Sequence, residues 1–258
     1  RVCDGVGELK LAPTKSGGDG VHNCDICPAA RMVAKGQGRN DPLKSSRLHT
    51  VQAFGDLVAT DHLGPLPKSY AHNCIYARIF ADYATADKQP YGQRTKNAEE
   101  SKAITKRYEA DMAPYGKVTR YHSDGAKELM GQAMHAHASS GTSQLLTWIV
   151  AEHSNSNNTA EGAFWILFSM VRAMLAESGM DVCHWLVALV YAGFLYRRWP
   201  RPYLHPPRLS SPYQELHRGA KANVRHLRLF GCVAHALLSP TCLKRNKLQS
   251  RVVTGYFV

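Results

Sequence analysis

Three carboxylates in this chain fall at the ends or starts of expected elements, a set whose oxygens could hold a divalent metal for phosphodiester chemistry. Asp61 lies in ATDHLGPLP, Asp124 in YHSDGAKEL and Glu161 in NSNNTAEGAF. Sixty-two residues separate the first two and thirty-six the last two. Mg²⁺ and Mn²⁺ are hard cations that take oxygen ligands, commonly one or two carboxylates together with substrate phosphate and water. A pair of such ions about 3.5–4 Å apart can activate an attacking oxygen and stabilise a leaving one. Three carboxylates crowded without metal repel one another and raise at least one pKa, which a purely structural site gains nothing from. Each residue alone also fits ordinary structure. Asp at a strand end is common turn chemistry, and Glu in a first helical turn suits the helix dipole. Only the combination, with its flanking sequence, points to metal.

The elements that must position these residues are legible from periodicity. Residues 51–60 form a strand running into Asp61, after which Gly64-Pro65-Leu66-Pro67 breaks it. Residues 74–83 alternate Ile75, Ala77, Ile79 and Ala81 against another face, and a third strand is expected near 89–95. A polar helix fits 98–112, with Asn97 as its cap and Pro114 behind its end. A short strand at 117–123 runs into Asp124, and 144–151 is another strand. The polar loop HSNSNNT leads to a long helix over 160–178, stopped by Gly179. A second helix over 184–199 is stopped by Pro200. RPYLHPPRLSSP reads as linker, and the basic tail holds β-like runs at 232–238 and 252–258. Strands first, with helices between and after them, imply a mixed α/β domain.

Composition bounds the rest. With 258 residues the chain can bury one full core. No run reaches the ~18 consecutive apolar residues of a membrane-spanning helix, so no membrane partner is expected. Lys and Arg exceed Asp and Glu by 12, which favours a polyanionic partner. Seven cysteines at irregular spacing argue against a disulfide framework and for a reducing, intracellular compartment. The chain opens on Arg1, as a fragment or a processed product would.

The flanking sequences carry a resemblance to the integrases of copia-type retrotransposons, an Asp-Asp-Glu family. ATDHLGPLP resembles that family's first-aspartate strand and Gly-Pro turn. IFADYATADKQPYGQRTK is similar to its next strand pair, where Phe80, Asp82 and Tyr83 recur. YHSDGAKEL and SNSNNTAEGAF resemble its second-aspartate and glutamate segments, and SPYQELHRGAKANVRHLRLFGCVAHAL its tail. The resemblance implies a ribonuclease-H-like fold, a mixed central sheet flanked by helices, over residues 51–200. Residues 1–50 would be a zinc-site remnant and linker, and 201–258 a linker and basic extension. It also implies that Asp61, Asp124 and Glu161 bind Mg²⁺ or Mn²⁺ and catalyse 3′-end processing and strand transfer of DNA. DNA ends and target DNA would be partners, with a homo-oligomer acting in the nucleus. Two departures stand out: Gly125-Ala126 replace the usual Asn-Gly, and Gly162 replaces an Arg or Lys. Two other readings therefore stay open: a decayed relative that only binds nucleic acid, and a hydrolytic nuclease.

Cys24 and Cys27, with His22 beside them, are half of a Zn²⁺ site. In the resembling family a His pair lies upstream; here His22 and Cys3 would have to substitute, or the motif is an idle remnant. Basic residues cluster at Lys102, Lys106 and Arg107; at Arg197, Arg198 and Arg201; at Arg225 and Arg228; and at Lys244, Arg245, Lys247 and Arg251. Each group is either a solvated face or a set of phosphate contacts. His62, His122 and His153 flank the carboxylate segments but are expected to be packed or solvent-facing. Phe164, Trp165 and Phe168 are expected in the core.

Overall fold

A computed structural model describes residues 51–123, 145–148, 158–204, 207–237 and 251–258. Its centre is a five-stranded sheet of β1 (Val58–Leu63), β2 (Tyr76–Asp82), β3 (Lys88–Gln93), β4 (Arg120–Ser123) and β5 (Leu145–Trp148), in the order β3-β2-β1-β4-β5. β1, β2 and β3 form an antiparallel meander, whereas β4 and β5 run parallel to β1. The sheet is therefore mixed, as expected, and β1 is its middle strand.

Strand alternation sends successive side chains to opposite faces and so sorts two cores. Val58, Phe80, Tyr91 and Tyr121 pack beneath α1 (Ala98–Met112) with its Ile104, Tyr108 and Met112. Phe80 lies parallel to Tyr108 at 4.2 Å and edge-on to Tyr91 at 5.7 Å. Ala59, Ala77, Ile79 and Ala81 take the other face, against α2 (Asn158–Ser178) and α3 (Trp185–Arg198). Small alanines on the sheet admit the large Phe164, Leu167 and Leu189 from the helices, so the layers interdigitate.

The helix boundaries follow their caps. Asn97 Oδ1 accepts the Glu100 amide at 2.8 Å. The Glu100 carboxylate reaches back to the amides of Arg94 and Thr95, each at 2.8 Å. Burial would push Glu100 up, but these bonds and the nearby Arg94 hold it below the usual carboxylate range. α2 is long and apolar enough to cross a membrane by length and composition. Its Ala160, Ala163, Leu167 and Val171 are buried against the sheet.

The stretch expected as linker is instead a hairpin, β6 (Arg201–Leu204) and β7 (Pro207–Ser210), followed by the short α4 (Pro212–Leu216). An isolated two-stranded ribbon is all edge, where proline's missing N–H is tolerated. Ser211 and Gln214 cap α4 reciprocally, with Pro212 entering its first turn. The tail returns to the body. Leu216 and Phe230 are buried, and β8 (Val233–Leu237) pairs with β9 (Val252–Tyr256) in an exposed hairpin. Cys3, His22, Cys24 and Cys27 lie outside the described residues.

Candidate functional site

β1 leaves the core at the first of the three carboxylates. Val58, Ala59 and Thr60 are buried, and Asp61, His62 and Leu63 are partly exposed. Asp61 shares a face with Ala59 and Leu63, the face on which α2 and α3 pack. Its Oδ1 accepts the His62 amide at 2.7 Å, which fixes the carboxylate against the strand.

Register draws a second strand alongside. In the parallel β1–β4 pair Thr60 stands opposite Ser123, so the residues that immediately precede Asp61 and Asp124 in sequence are partners. Asp124 itself lies outside the described residues, as does His153.

Glu161 occupies the first turn of α2 and is exposed. The helix is seated by its neighbours: Ala160 and Ala163 are fully buried in the cluster that contains Ala59. Tyr83, directly after β2, hydrogen-bonds with Thr159 at the helix start; burial pushes the Tyr83 phenol up and this bond opposes the rise. Asp82, the residue before it, closes the turn from β2 to β3. Its carboxylate accepts the Gly55 amide at 2.9 Å, the Thr85 amide at 2.8 Å and the Thr85 hydroxyl at 2.7 Å. Burial pushes Asp82 up to about 6 against the pull of those three donors. Asp82 and Tyr83 thus hold the frame and Phe80 fills the core, while Asp61 and Glu161 sit on β1 and α2, which pack together.

The opposite face under Asp61 is held by a buried cation that the sequence did not single out. Arg78 pairs with His62 across the β1–β2 ladder and is wholly buried. Its Nε donates to Thr60 Oγ1 at 3.1 Å, and its Nη1 to Ser101 O at 2.5 Å and to Thr105 Oγ1 at 2.9 Å, tying β1 to α1. Burial pushes it down to about 10, which leaves it charged at neutral pH. Its Nη2, both His62 ring nitrogens and Gln93 Oε1 are buried without hydrogen-bond geometry, although Gln93 lies close enough to favour the His62 cation slightly. Burial, Arg78 and Lys96 together push His62 down to about 3. A neutral, buried imidazole is no proton carrier for the Asp61 side of the sheet. Arg78 was signalled only by its place between apolar neighbours in the strand YARIFAD.

Trp165, expected in the core, is 39% exposed, whereas Phe164 is buried as expected. It follows Glu161 by four residues, so both project from one outward face of α2. Gly162 between them has open space: a Cβ there would meet nothing within 4 Å.

The donor chemistry suits a hard divalent cation, because Asp61 and Glu161 offer carboxylate oxygens from two packed elements. The described residues alone contain no cluster of three or more metal-ligating side chains.

No family model matches the sequence, and no curated protein does. Solved structures do. A chain of the simian T-cell lymphotropic virus intasome, in complex with the PP2A regulatory subunit B56 gamma, matches with a TM-score of 0.53 at 12% identity, over 80% of this chain and 68% of that one. The catalytic core domain of BIV integrase matches at 0.48 and 12% identity, over 64% of this chain and 95% of that one. The HTLV-2 integrase catalytic core, in complex with magnesium in a trimeric form, matches at 0.48 and 10%, over 63% and 97%. The mixed sheet with helices on both faces is thus the ribonuclease-H-like fold of integrase catalytic cores.

Proposed function

We propose that the chain is the catalytic core of a copia-type retrotransposon integrase, a metal-dependent polynucleotidyl transferase that trims DNA 3′ ends and joins them to target DNA. The observation that supports this most is the seating of Asp61 and Glu161. Within an integrase-like fold, one leaves the core on the middle strand and the other opens the helix packed on that strand's face.

Asp61, Asp124 and Glu161 would hold Mg²⁺ or Mn²⁺ through carboxylate oxygens. The bound cation supplies Lewis-acid stabilisation of the charge that builds on the phosphoryl group. The chain's own part is positional. The Asp61 carboxylate is fixed by the His62 amide, and Glu161 is carried on a helix whose first turn is pinned through Ala160 and the Tyr83–Thr159 bond. Water is the nucleophile for trimming and the freed 3′ hydroxyl for joining, with positioning and charge stabilisation supplying most of the rate. DNA ends and target DNA are the substrates. More than one protomer assembles on them, and the work is nuclear.

One observation favours a second reading, a nucleic-acid-binding relative that has lost turnover. Gly162 leaves empty space where the resembling family carries a basic side chain. Strand-transfer assays with short labelled duplexes and Mg²⁺ or Mn²⁺ separate the two. Joined products that vanish in Asp61→Asn, Asp124→Asn and Glu161→Gln, each still folded, are the expected result. A folded Glu161→Gln variant with full activity would remove Glu161 from the mechanism. A wild-type chain that binds DNA but never cuts it would favour the second reading.

A further inference from the structure

The four basic groups of the sequence differ in what they touch. On α1, Lys102, Lys106 and Arg107 share the helix with Glu99, Glu100, Glu109 and Asp111, and Arg107 Nε lies 3.9 Å from Asp111. Arg197 is spent on Asp87, Arg198 lies 3.4 Å over the Phe194 ring, and Arg201 covers Tyr196 at 4.6 Å. Arg107, Arg197, Arg198 and Arg201 are thus engaged within the fold, and Lys102 and Lys106 sit among the carboxylates of their own helix. Arg218, Lys221, Arg225 and Arg228 are different. All four are exposed, and none has a carboxylate within ion-pair distance among the described residues. No Asp or Glu follows Glu215 in the sequence, whereas eight Lys and Arg do.

The segment that carries these four is a strap with a fixed course. His217 at its start meets the Tyr115 hydroxyl at 3.1 Å, and His226 stands edge-on to Phe194 of α3. Tyr191 Oη donates to Arg228 O and accepts from Arg228 N, which rivets the backbone to α3. Gly231, at φ +77°, then passes the end of α2 so closely that a Cβ would stand 2.3 Å from Ser178 Cβ. The backbone is held at both ends, while the four charged side chains are exposed with no carboxylate within ion-pair distance among the described residues; Arg228 Nη1 donates only to the carbonyls of Arg225 and Leu227 among them. The far end stands at the last turn of α2. Seventeen residues at about 1.5 Å rise place that turn roughly 25 Å along the helix from Glu161.

We propose that the 218–228 strap is a sequence-independent track for a nucleic-acid phosphate backbone, separate from the carboxylate site. Unpaired cations at intervals of three to four residues repel one another, and a polyanion relieves that repulsion while releasing its own counterions. The naming of duplex DNA as the occupant rests on the function proposed above; the binding itself needs no turnover. The strap's far end stands a helix length away from Glu161, so the track is separate from the carboxylate site.

The test is fluorescence anisotropy of a labelled 30-base-pair duplex of arbitrary sequence, titrated with the full chain across a salt series. In the Arg218→Gln/Lys221→Gln/Arg225→Gln/Arg228→Gln variant, the slope of log K against log salt should flatten by about 3 to 4, near 0.9 per lost phosphate contact. Lys102→Gln/Lys106→Gln on α1 should leave the slope unchanged. A quadruple variant that melts with the wild type and keeps its slope within one would overturn the proposal. So would an equal flattening by the α1 pair, which would make the effect one of net charge alone. Tighter, strap-dependent binding to phosphatidylserine vesicles than to the duplex would overturn the choice of nucleic acid. Loss of strand transfer in the carboxylate variants with the strap slope intact would bear on catalysis only.

Discussion

Arg197→Met should unfold this domain more readily than any surface change, because it strands a buried charge. Arg197 grips Asp87 with two donors, Nε to Oδ1 at 2.8 Å and Nη2 to Oδ2 at 2.5 Å. Asp87 is 2% exposed, at the turn between β2 and β3, and its remaining side-chain donor is Gln89 Nε2 at 3.1 Å. Desolvation alone would lower Arg197, but the hydrogen bonds and charge of Asp87 outweigh it and hold the guanidinium above its ordinary pKa. Removing one partner of such a pair costs about 3–5 kcal/mol, against a total stability of about 5–15 kcal/mol for a domain. Arg197→Lys should recover little, since an ammonium cannot reproduce the two-pronged geometry. Asp87→Asn/Arg197→Met should be more stable than Arg197→Met, because the second change removes the stranded charge. Urea denaturation followed by circular dichroism reads all four stabilities. A loss below about 1 kcal/mol in Arg197→Met would mean that the pair is worth no more than a surface ion pair, and the reasoning would fail. A double variant no better than the single would refute it equally.

Two further changes probe the frame and the site. Burial pushes the Lys88 amine from 10.5 down to about 7, so between those values the folded chain holds fewer protons there than the unfolded chain. Stability should therefore rise with pH from about 7 to 10, by up to about 1.4 kcal/mol per unit, and Lys88→Met should lack the rise in pH-dependent urea melts. Gly162→Ala should stabilise the chain by about 0.5–1 kcal/mol, since a methyl group there meets open space and glycine is a poor helix former. Gly162→Arg should raise strand-transfer yield if the proposed chemistry operates; a lower yield at unchanged stability would count against a basic side chain at that position.

What the sequence disclosed depended on whether the signal was local. The α1 helix was legible to the residue, because Asn97 and Glu100 make a cap three residues apart and Pro114 follows its end. The middle strands were legible from alternation, although β1 begins at Val58 rather than near residue 51, where turns replace the expected extended chain. The β6–β7 hairpin was not legible, since its prolines read as linker until cross-strand pairing at a free edge is known. Its companion α4 did carry a local signal, Ser211-Pro-x-Gln214, which the pattern of apolar residues hid. Trp165 failed for a different reason. A large aromatic beside Phe164 looks like core, but the inward stripe of the helix is Ala160, Ala163, Phe164 and Leu167, and Trp165 lies one step outside it.

The residues that made the sequence recognisable divide into two kinds once their partners are known. Phe80, Asp82 and Tyr83 touch ring systems, turn amides and the start of α2, so these three positions seat β2 against the helix that carries Glu161. Asp61 accepts the amide of the next residue, His62, where the middle strand leaves the core. The sheet beneath it is meanwhile stiffened from the other side by Arg78, which ties Thr60 to α1 with a fully buried guanidinium. Buried Arg78 and Asp82 fix the strands around Asp61, while Asp61 is partly and Glu161 fully open to solvent, which is the arrangement the proposed metal site would need.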